Sequence, residues 1–454
     1  MKFGGTSIAD EDAFHRVTAI VQRQIEHRSA GSPLPVIVVS ALSKVTDGLL
    51  QVERFIEAGE GDRAVDRLDE LAERHVTIAS AVTSGVRQAA VTSDLHAEFA
   101  ALRNLVRDRV TQPELPPRRR DVIAAAGELA SSRLLTAALA ETGIPATWVD
   151  SRQVLVTDAE FTAAVPDIAA TCARATRTIA PVTERGEVAV LGGFIGATPE
   201  GVTTTLGRGG SDYSAAIFGA CLDVAQIEIW TDVDGMLTAD PRVVPQARLV
   251  PTLSFAEASE LAYFGAKVLH PSTILPAVSK GIPVRILNSR QPDRPGTLIT
   301  ADWRPVGGRL TAIACKRDVT VIDLTSTRMF LAYGFLRRVF EVFDRFKTPV
   351  DVVTTSEVSV SVTIDDTRRL DDIVEALRGF AQVACERDMA IICAVGEGVH
   401  DDPGAFGHAV SAIGGIPLRM VSQAASRRNI TFVLRDADAP QAVTRLHERF
   451  FESS

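Results

Sequence analysis

The residues with the clearest chemistry lie in one short stretch, TTTLGRGGSDYSAA, at positions 203–216. Its three glycines allow the chain to turn closely against a ligand, and Ser211 can cap a helix that begins near Asp212. Arg208 offers a planar guanidinium that suits a carboxylate, while Asp212 could bind an ammonium group. Because an amino acid carries both charges, the stretch predicts an amino acid site, with a plain helix cap as the alternative.

The segment KFGGTS, at positions 2–7, predicts contact with a phosphate. Gly4 and Gly5 let the backbone approach an anion closely, and the first amides of a following helix can bind it. Lys2 adds a mobile positive charge that can follow a migrating phosphoryl group. A simple tight turn is the alternative interpretation.

Two later segments supply groups for a nucleotide. WTDVDGMLTADPRVV (230–244) presents Thr231 and Asp232 at the end of an apolar run, and Arg242 follows in a turn. FGAKVLHP (264–271) adds Lys267, and both cations suit nucleotide phosphates. A plain loop is the alternative for the first segment.

Two further ionisable residues draw attention for different reasons. Glu128, within AAGELASS, lies in an apolar helical pattern, where a carboxylate destabilises the fold unless something bonds it. His270 precedes a proline, and we interpret it as a structural histidine and not as a base. No serine, cysteine or histidine arrangement resembles a nucleophile with its base, and no carboxylate cluster resembles a metal cage. This pattern suits a substrate that brings its own nucleophile, such as an ionised carboxylate accepting a phosphoryl group.

Short apolar runs must position these groups. Each run is apolar almost without alternation, which is typical of parallel strands covered on both faces. Ligands of open α/β sheets bind beyond the carboxyl ends of the strands, so the polar residues that end the runs should meet in one cleft. Long helical patterns, such as 48–78 and 121–141, alternate with the runs, and the proline-rich segment 111–121 is interpreted as a surface loop. The runs are 35–40, 146–150, 188–194, 227–232 and 284–288.

A second region begins after the proline-rich segment 288–300. Strand and helix patterns there follow the order β-α-β-β-α-β twice, first over 319–380 and again over 388–450. Two copies of such a small module favour a paired sensor.

Composition limits the remaining possibilities. The chain has 454 residues, of which 46% are apolar and 23% charged, as in ordinary globular proteins. The net charge of −9 argues against a nucleic acid partner, and the apolar runs are too short to cross a membrane. We therefore expect a cytoplasmic protein. The five cysteines are far apart, so we predict buried free thiols at 172, 221, 315, 385 and 393.

In this order the motifs resemble those of the aspartate kinases, members of the amino acid kinase family. The resemblance spans nearly the whole chain and rests on KFGGTS, VVSALSKVTD, GELASS, GGFIG, TTTLGRGGSDYSAA, WTDVDG, DPRVV, FGAKVLHP and TTSEVSVS. It implies a three-layer α/β/α sandwich with a mainly parallel sheet over 1–300, followed by two ferredoxin-like α+β ACT modules. The modules would cover 318–387 and 388–454, with a strand from 309–316 completing the second.

The resemblance also implies roles for individual residues. Lys2, Gly4 and Gly5 would contact the transferred phosphate, with Asp212 holding Lys2. Arg208 would bind the α-carboxylate of aspartate, and Glu128 would lie near its ammonium group. ATP would arrive with Mg²⁺. The remaining implied aspartate contacts are Ser40, Thr46, Phe194, Ser211 and Asp212; the nucleotide contacts are Thr231, Asp232, Arg242 and Lys267; the effector contacts are Met329, Asp351, Thr355, Ser356 and Glu357.

These observations predict a monofunctional ATP:L-aspartate 4-phosphotransferase that starts a biosynthetic route to lysine, threonine and methionine. Lysine or threonine would be the effector, and the ACT modules would pair subunits into a homodimer or homotetramer. Leu237 and Ala332 depart from the family pattern, which commonly has a tyrosine and a polar residue there. Two alternatives stay open: a sister kinase with another acceptor, and a catalytically silent amino acid sensor.

Overall fold

A computed structural model describes residues 1–29, 31–107, 116–207, 209–265, 271–301, 303, 310–325, 333–423 and 426–452. The chain divides into two compact units. Residues 1–236 and 268–301 form the first unit, and residues 237–267 and 302–454 form the second.

The first unit is built on a mainly parallel sheet with the strand order β3-β4-β2-β1-β7-β9-β10. All neighbouring pairs are parallel except β9 and β10, which are antiparallel. A two-stranded hairpin, β5 with β6, accompanies the sheet. The strands are β1 (Lys2–Phe3), β2 (Val36–Val39), β3 (Ala146–Val149), β4 (Val188–Gly192), β5 (Ile195–Ala197), β6 (Thr203–Thr205), β7 (Ile227–Thr231), β9 (Val284–Asn288) and β10 (Thr297–Thr300).

Helices cover both faces of this sheet. Successive side chains of a strand face opposite sides, so Ile37 and Val39 pack with α1 to α5, whereas Val38 packs with α6 and α8. The three-layer α/β/α prediction is confirmed by this arrangement. The helices are α1 (Glu11–His27), α2 (Val45–Glu57), α3 (Gly61–Val82), α4 (Gly85–Arg107), α5 (Pro116–Glu141), α6 (Ile168–Thr178), α7 (Ala180–Glu184), α8 (Gly210–Cys221) and α10 (Leu275–Lys280).

The helical pattern at 48–78 consists of two helices, α2 and α3, which are separated by a turn at Gly59 (φ 79°). One prediction for this unit was wrong. The segment 111–121 is not entirely a surface loop, since α5 already begins at Pro116. Prolines are tolerated in the first turn of a helix, where their missing N–H is not needed. The Arg119 side chain is buried there and forms a bidentate ion pair with Glu53 of α2.

The prediction of five free cysteines was also wrong. A disulfide joins Cys172 of α6 to Cys221 at the end of α8, with their Cα atoms 4.6 Å apart. The two residues are 49 positions apart in the sequence, and only the packing of α6 against α8 brings them together. Cys315, Cys385 and Cys393 are free, but only Cys393 is fully buried.

The second unit contains one six-stranded antiparallel sheet with the order β12-β13-β11-β14-β16-β15. Residues 320–325 of β11 pair with β13, whereas residues 312–316 pair with residues 391–395 of β14. One strand therefore serves both β-α-β-β-α-β modules. The elements are β8 (Thr252–Ser254), α9 (Phe255–Tyr263), β11 (Ala312–Thr325), α11 (Phe335–Arg345), β12 (Val353–Thr355), β13 (Ser359–Ile364), α12 (Leu370–Arg378), β14 (Gln382–Val395), α13 (Ala405–Ala412), β15 (Leu418–Ser422), β16 (Asn429–Arg435) and α14 (Ala439–His447).

The predicted domain limits at 300, 318 and 388 stay predictions. Helix α5 is long and apolar enough to span a membrane, but 78% of its most apolar 18-residue segment is buried inside the fold. It is therefore the core helix of the first unit. The expected cytoplasmic location also stays a prediction.

Candidate active site

The candidate active site lies at the carboxyl ends of the central strands of the first unit. Backbone hydrogen bonds tie these ends to one another. The Ser40 amide donates to the Phe3 carbonyl (3.1 Å), and the Gly193 amide donates to the Val39 carbonyl (2.8 Å). The Ser289 amide donates to the Thr231 carbonyl (2.8 Å) on the other side of β1. Polar residues that follow β2, β4, β7 and β9 are thus gathered along one edge, as expected for parallel strands.

Lys2 is the buried cation of this edge. Lys2 lies in β1 and is 8% exposed. Its Nζ atom is 2.7 Å from the Oδ1 atom of Asp212, which lies in the first turn of α8. Both side chains are largely withdrawn from water, so each charge depends on the other for compensation. The geometry matches the implied role of Asp212 in holding Lys2.

A short turn follows Lys2, and its close packing requires glycine at position 5. A Cβ atom at Gly5 would lie 2.7 Å from the Ala41 carbonyl oxygen, which is too close for any other residue. The Gly4 amide donates to the Trp230 carbonyl at 3.1 Å and is therefore engaged within the fold. A single helical turn, Gly5–Ile8, begins immediately afterwards. The Ser7 hydroxyl lies 2.8 Å from the Ser289 hydroxyl and fastens that turn to the end of β9.

Glu128 is the buried acid of the site. It lies in α5, 3% exposed, and its Oε2 atom has no hydrogen-bond partner among the described residues. Burial raises the pKa of Glu128 to about 8, against smaller lowering contributions from backbone amides at Ala41 and Glu128 and from the charge of Lys2. A carboxylate in this position has the capacity to bind an ammonium group.

The loop after β4 and the start of α8 interlock. Phe194 has a left-handed backbone (φ 66°), and its amide donates to the Ser214 hydroxyl at 2.9 Å. The Ser214 hydroxyl in turn donates to the Gly210 carbonyl (2.8 Å). A Cβ atom at Gly193 would lie 2.7 Å from the Cβ atom of Ser211, so only glycine permits this approach. Phe194, Ser211 and Asp212 are therefore brought together as the resemblance implies.

Ser40 and Thr46 flank the same turn. Ser40 follows β2, and its carbonyl accepts a hydrogen bond from the Ser131 hydroxyl of α5 (2.7 Å). The Ser43 amide donates to the Gly5 carbonyl at 3.1 Å, which ties this connection to the Lys2 turn. Thr46 is half-buried in the first turn of α2. Arg208, the predicted carboxylate ligand, lies outside the described residues.

The predicted nucleotide contacts fall in different parts of the chain. Thr231 is half-buried at the end of β7, and its hydroxyl donates to the exposed Asp232 (3.3 Å). Arg242 belongs to the second unit, where its side chain is 88% exposed and bonded to both carboxylate oxygens of Asp240. Lys267 and His270 lie outside the described residues. Within the described ranges, no three His, Cys, Asp or Glu side chains form a group that could hold a metal.

A second polar cluster lies in the second unit and contains Asp351, one of the predicted effector residues. The Lys316 Nζ atom is 2.7 Å from Asp351 Oδ1 and 2.8 Å from Asp365 Oδ2. Burial alone would lower the pKa of Lys316, but its bonds to the two carboxylates raise it overall. Burial raises the pKa of Asp351, although Lys316 opposes this. Lys316 Nζ also lies 5.2 Å from the ring centre of Tyr263 at the end of α9.

The other predicted effector residues occupy an exposed turn. Thr355 ends β12, and Ser356 and Glu357 follow it. The Ser356 hydroxyl lies 2.6 Å from the Ser359 hydroxyl, so it organises the turn. Met329 and Ala332 lie outside the described residues.

Sequence reasoning missed two residues that these sites depend on. Ser214 lies one helical turn after Gly210, a spacing at which a serine hydroxyl can bond a helix carbonyl, and this signal was available. Lys316 carried no local signal, because its partners Asp351 and Asp365 come from other parts of the second unit.

Two protein families match parts of this chain. The amino acid kinase family matches residues 1–288. An ACT domain matches residues 392–450.

Individual relatives match over the full chain. Aspartokinase 3 of Arabidopsis thaliana chloroplasts is 37% identical over 100% of this chain and 81% of its own length. The lysine-sensitive aspartokinase 3 of Escherichia coli is 35% identical over 99% of this chain and 98% of its own. The structure of E. coli aspartokinase III in complex with aspartate and ADP superimposes with a TM-score of 0.84, at 34% identity and 99% coverage of both chains.

Proposed function

Because this chain belongs to the amino acid kinase family and, within it, to the aspartokinases, we propose that it transfers a phosphoryl group from ATP to L-aspartate. The acceptor is the side-chain carboxylate, which is ionised at neutral pH and needs no base to attack the γ-phosphorus in line. The product is 4-phospho-L-aspartate. Catalysis then reduces to alignment of the reactants and stabilisation of charge.

Lys2 is the residue we assign to the migrating phosphoryl group. Its ammonium stabilises the charge that develops on the phosphoryl oxygens, and Asp212, 2.7 Å from Nζ, holds the ammonium in position. The Gly4 amide is bonded to Trp230, so Gly4 provides room, and the phosphate-binding amides are those of Gly5 and Thr6. These amides open the short helix after β1, where backbone N–H groups lack helical partners.

The aspartate site is assigned to the groups around α5 and α8. Glu128 receives the ammonium group, and its unpartnered Oε2 atom supports this assignment. Arg208 receives the α-carboxylate as a bidentate ligand. The remaining proposed contacts that complete the site are Ser40, Thr46, Phe194, Ser211 and Asp212.

ATP is the proposed phosphoryl donor, with Mg²⁺ bound to its phosphates. The relative of known structure was solved with ADP and aspartate, which supports this assignment. Mg²⁺, when bound, would neutralise charge on the phosphate oxygens. The proposed nucleotide contacts of this chain are Thr231, Asp232, Arg242 and Lys267.

The observation that carries the proposal is the buried pair of Lys2 and Asp212. Lys2→Ala should lower kcat by about 100-fold or more, since a preorganised positive group is lost from the transition state. A matched control is Lys280→Ala, because Lys280 forms an equally short pair with Asp223 (2.7 Å) on the exposed surface. Both variants are compared in a coupled assay of ADP release. Equal turnover in the two variants would refute the role of Lys2.

The acceptor is tested in the same assay with aspartate, glutamate and no amino acid. We expect ADP release with aspartate but not with glutamate or without an amino acid. Hydroxylamine should trap the acyl phosphate product as a hydroxamate. A preference for glutamate would favour a sister kinase, and no release with any acceptor would favour a silent sensor.

Arg208→Ala should raise the KM for aspartate with little change in the KM for ATP. The exposed Arg23→Ala is the control and should change neither KM.

We also propose feedback regulation through the second unit. The E. coli relative is a lysine-sensitive enzyme, which makes lysine the first candidate effector and threonine the second. The proposed contacts are Met329, Asp351, Thr355, Ser356 and Glu357. β12 is the last strand of its sheet in the described part of the chain, and Val353, Val358, Leu336 and Phe340 expose apolar side chains. These features support pairing of two subunits through this module as a homodimer or homotetramer.

A further inference from the structure

Asp121 is a buried carboxylate for which the reaction gives no direct role. It lies in the second turn of α5 and is 1% exposed. Within the described residues its carboxylate forms no salt bridge, and its partners are hydrogen-bond donors without charge. Burial raises the pKa of Asp121, and the hydrogen bonds from Thr162 and Thr205 and, least of all, the charge of Arg120 oppose this. A buried charge with such partners fixes positions at some cost in stability.

These hydrogen bonds join two separate segments to α5. The Thr162 amide donates to both oxygens of Asp121, at 3.0 and 2.9 Å. The Thr205 amide donates to Oδ2 (3.0 Å), and the Thr205 hydroxyl donates to Oδ1 (2.7 Å). Thr162 has a left-handed backbone (φ 74°), a conformation that a non-glycine residue keeps only when its surroundings hold it.

Both segments lead to the proposed aspartate loop. Thr205 ends β6, and the chain passes directly from it through Leu206 and Gly207 to the start of α8. The Leu206 amide donates to the carbonyl of Phe194 at 2.9 Å. The Thr162 carbonyl lies beneath Gly207, where a Cβ atom would be only 3.3 Å away.

Helix α5 also carries Glu128, about two helical turns beyond Asp121 and thus on the same face. One helix therefore presents the proposed ammonium ligand and anchors the loop with the proposed carboxylate ligand. The separation of these two ligands must match the two charged groups of the substrate.

We propose that Asp121 is a positioning residue that holds Leu206 and Gly207, which lead towards α8, in place relative to Glu128 and so determines the affinity for the amino acid acceptor. This inference rests on the proposed function. Asp121 acts through hydrogen-bond acceptance, because each hydrogen-bond partner of its carboxylate in the described part of the chain is a neutral donor.

The test compares Asp121→Ala with Asp121→Asn. The alanine variant loses all acceptors and should raise the KM for aspartate about tenfold or more, with the KM for ATP within about twofold. The asparagine variant should rescue binding, with a KM for aspartate within about threefold of the wild type. Its amide oxygen can accept both backbone N–H groups, and its NH₂ group can donate to the Thr205 hydroxyl.

Glu53→Ala is the matched structural control. Glu53 is 3% exposed and pairs with Arg119, which lies on α5 two residues before Asp121. This variant should lower the Tm while leaving the KM for aspartate within about twofold, since it perturbs the same helix without touching the loop. If Asp121→Ala does not fold, Thr205→Val replaces it and should raise the KM for aspartate about threefold.

Three results would overturn the inference. They are an unchanged KM for aspartate in the alanine or valine variant, equal increases in the KM for both substrates, and failure of asparagine to rescue. All presuppose that the wild type phosphorylates aspartate. If the wild type releases no ADP with aspartate, the proposed function fails first, and that outcome is seen before any variant is made.

Discussion

At the scale of single residues, the candidate site depends on two buried ionisable groups with different environments. Lys2 has a carboxylate partner, Asp212, whose Oδ1 atom lies 2.7 Å from its Nζ atom. Glu128 has an oxygen with no partner, and burial raises its pKa to about 8. Glu128 is therefore mostly protonated at neutral pH, and in its proposed role it must release this proton to bind an ammonium group.

This difference predicts a pH-dependent affinity for aspartate. Glu128 must lose its proton before it pairs with the substrate ammonium, so the KM for aspartate should fall about tenfold per pH unit from pH 6 to 7.5 and level off above pH 8. Initial rates at varied pH measure this, with the KM for ATP as the internal reference. Glu128→Gln should remove the slope. A wild-type KM for aspartate that does not vary with pH would contradict the assignment of Glu128.

At the scale of elements, β11 connects the two modules of the second unit, because this one strand pairs with both β13 and β14. Its register shifts between Lys316 and Val319, and Asp318 there has a left-handed backbone (φ 59°). The irregularity separates the half that pairs with β13 from the half that pairs with the end of β14. Lys316 lies at this irregularity, and its ammonium forms a salt bridge with Asp351.

We predict that Lys316 competes with an effector for Asp351. The resident ammonium already neutralises the carboxylate that the resemblance assigns to the effector, so it must move before an effector ammonium can bind. Lys316→Gln should therefore lower the half-inhibitory concentration of lysine about fivefold or more. Inhibition titrations with lysine and with threonine measure this, and the exposed Lys347→Gln is the control. Weaker inhibition in Lys316→Gln would show that Lys316 supports the effector site.

At the scale of the whole molecule, a large hydrophobic cluster of the first unit packs helices α1 to α5 against the sheet. His75 of α3 is fully buried, and its ring packs at a tilt of 51° against Phe99, with ring centres 5.3 Å apart. Its Nδ1 atom lies 2.7 Å from the Leu71 carbonyl oxygen. Its Nε2 atom has no partner within the described residues. Burial lowers the pKa of His75 to about 4, so the folded chain holds this ring neutral.

The buried histidine predicts destabilisation by acid. The unfolded chain takes up the proton near pH 6.5, whereas the folded chain does so only near pH 4. The stability that His75 provides is therefore complete above pH 6.5 and decreases as the pH falls, by about 3 kcal/mol at pH 4. Urea unfolding at several pH values measures the slope, which His75→Gln should reduce. The exposed His15→Gln should leave it unchanged, and equal slopes for both variants would contradict the prediction.

The sequence by itself determined the fold class, the order of the elements and the family. Apolar runs without alternation predict parallel strands because both faces of such a sheet are covered, and the observed β2, β3, β4, β7 and β9 fall within the predicted ranges. Glycine, lysine and acidic residues in a fixed order were sufficient to predict the chemistry. These features are local, so the sequence carries them directly.

Only the tertiary structure decided which distant residues meet. The disulfide between Cys172 and Cys221 and the two segments held by Asp121 each join parts of the chain far apart in sequence. Such contacts depend on strand order and on how helices pack, which no local pattern specifies. The burial that raises the pKa of Glu128 has the same origin, because a carboxylate is desolvated only by neighbours that the fold brings to it.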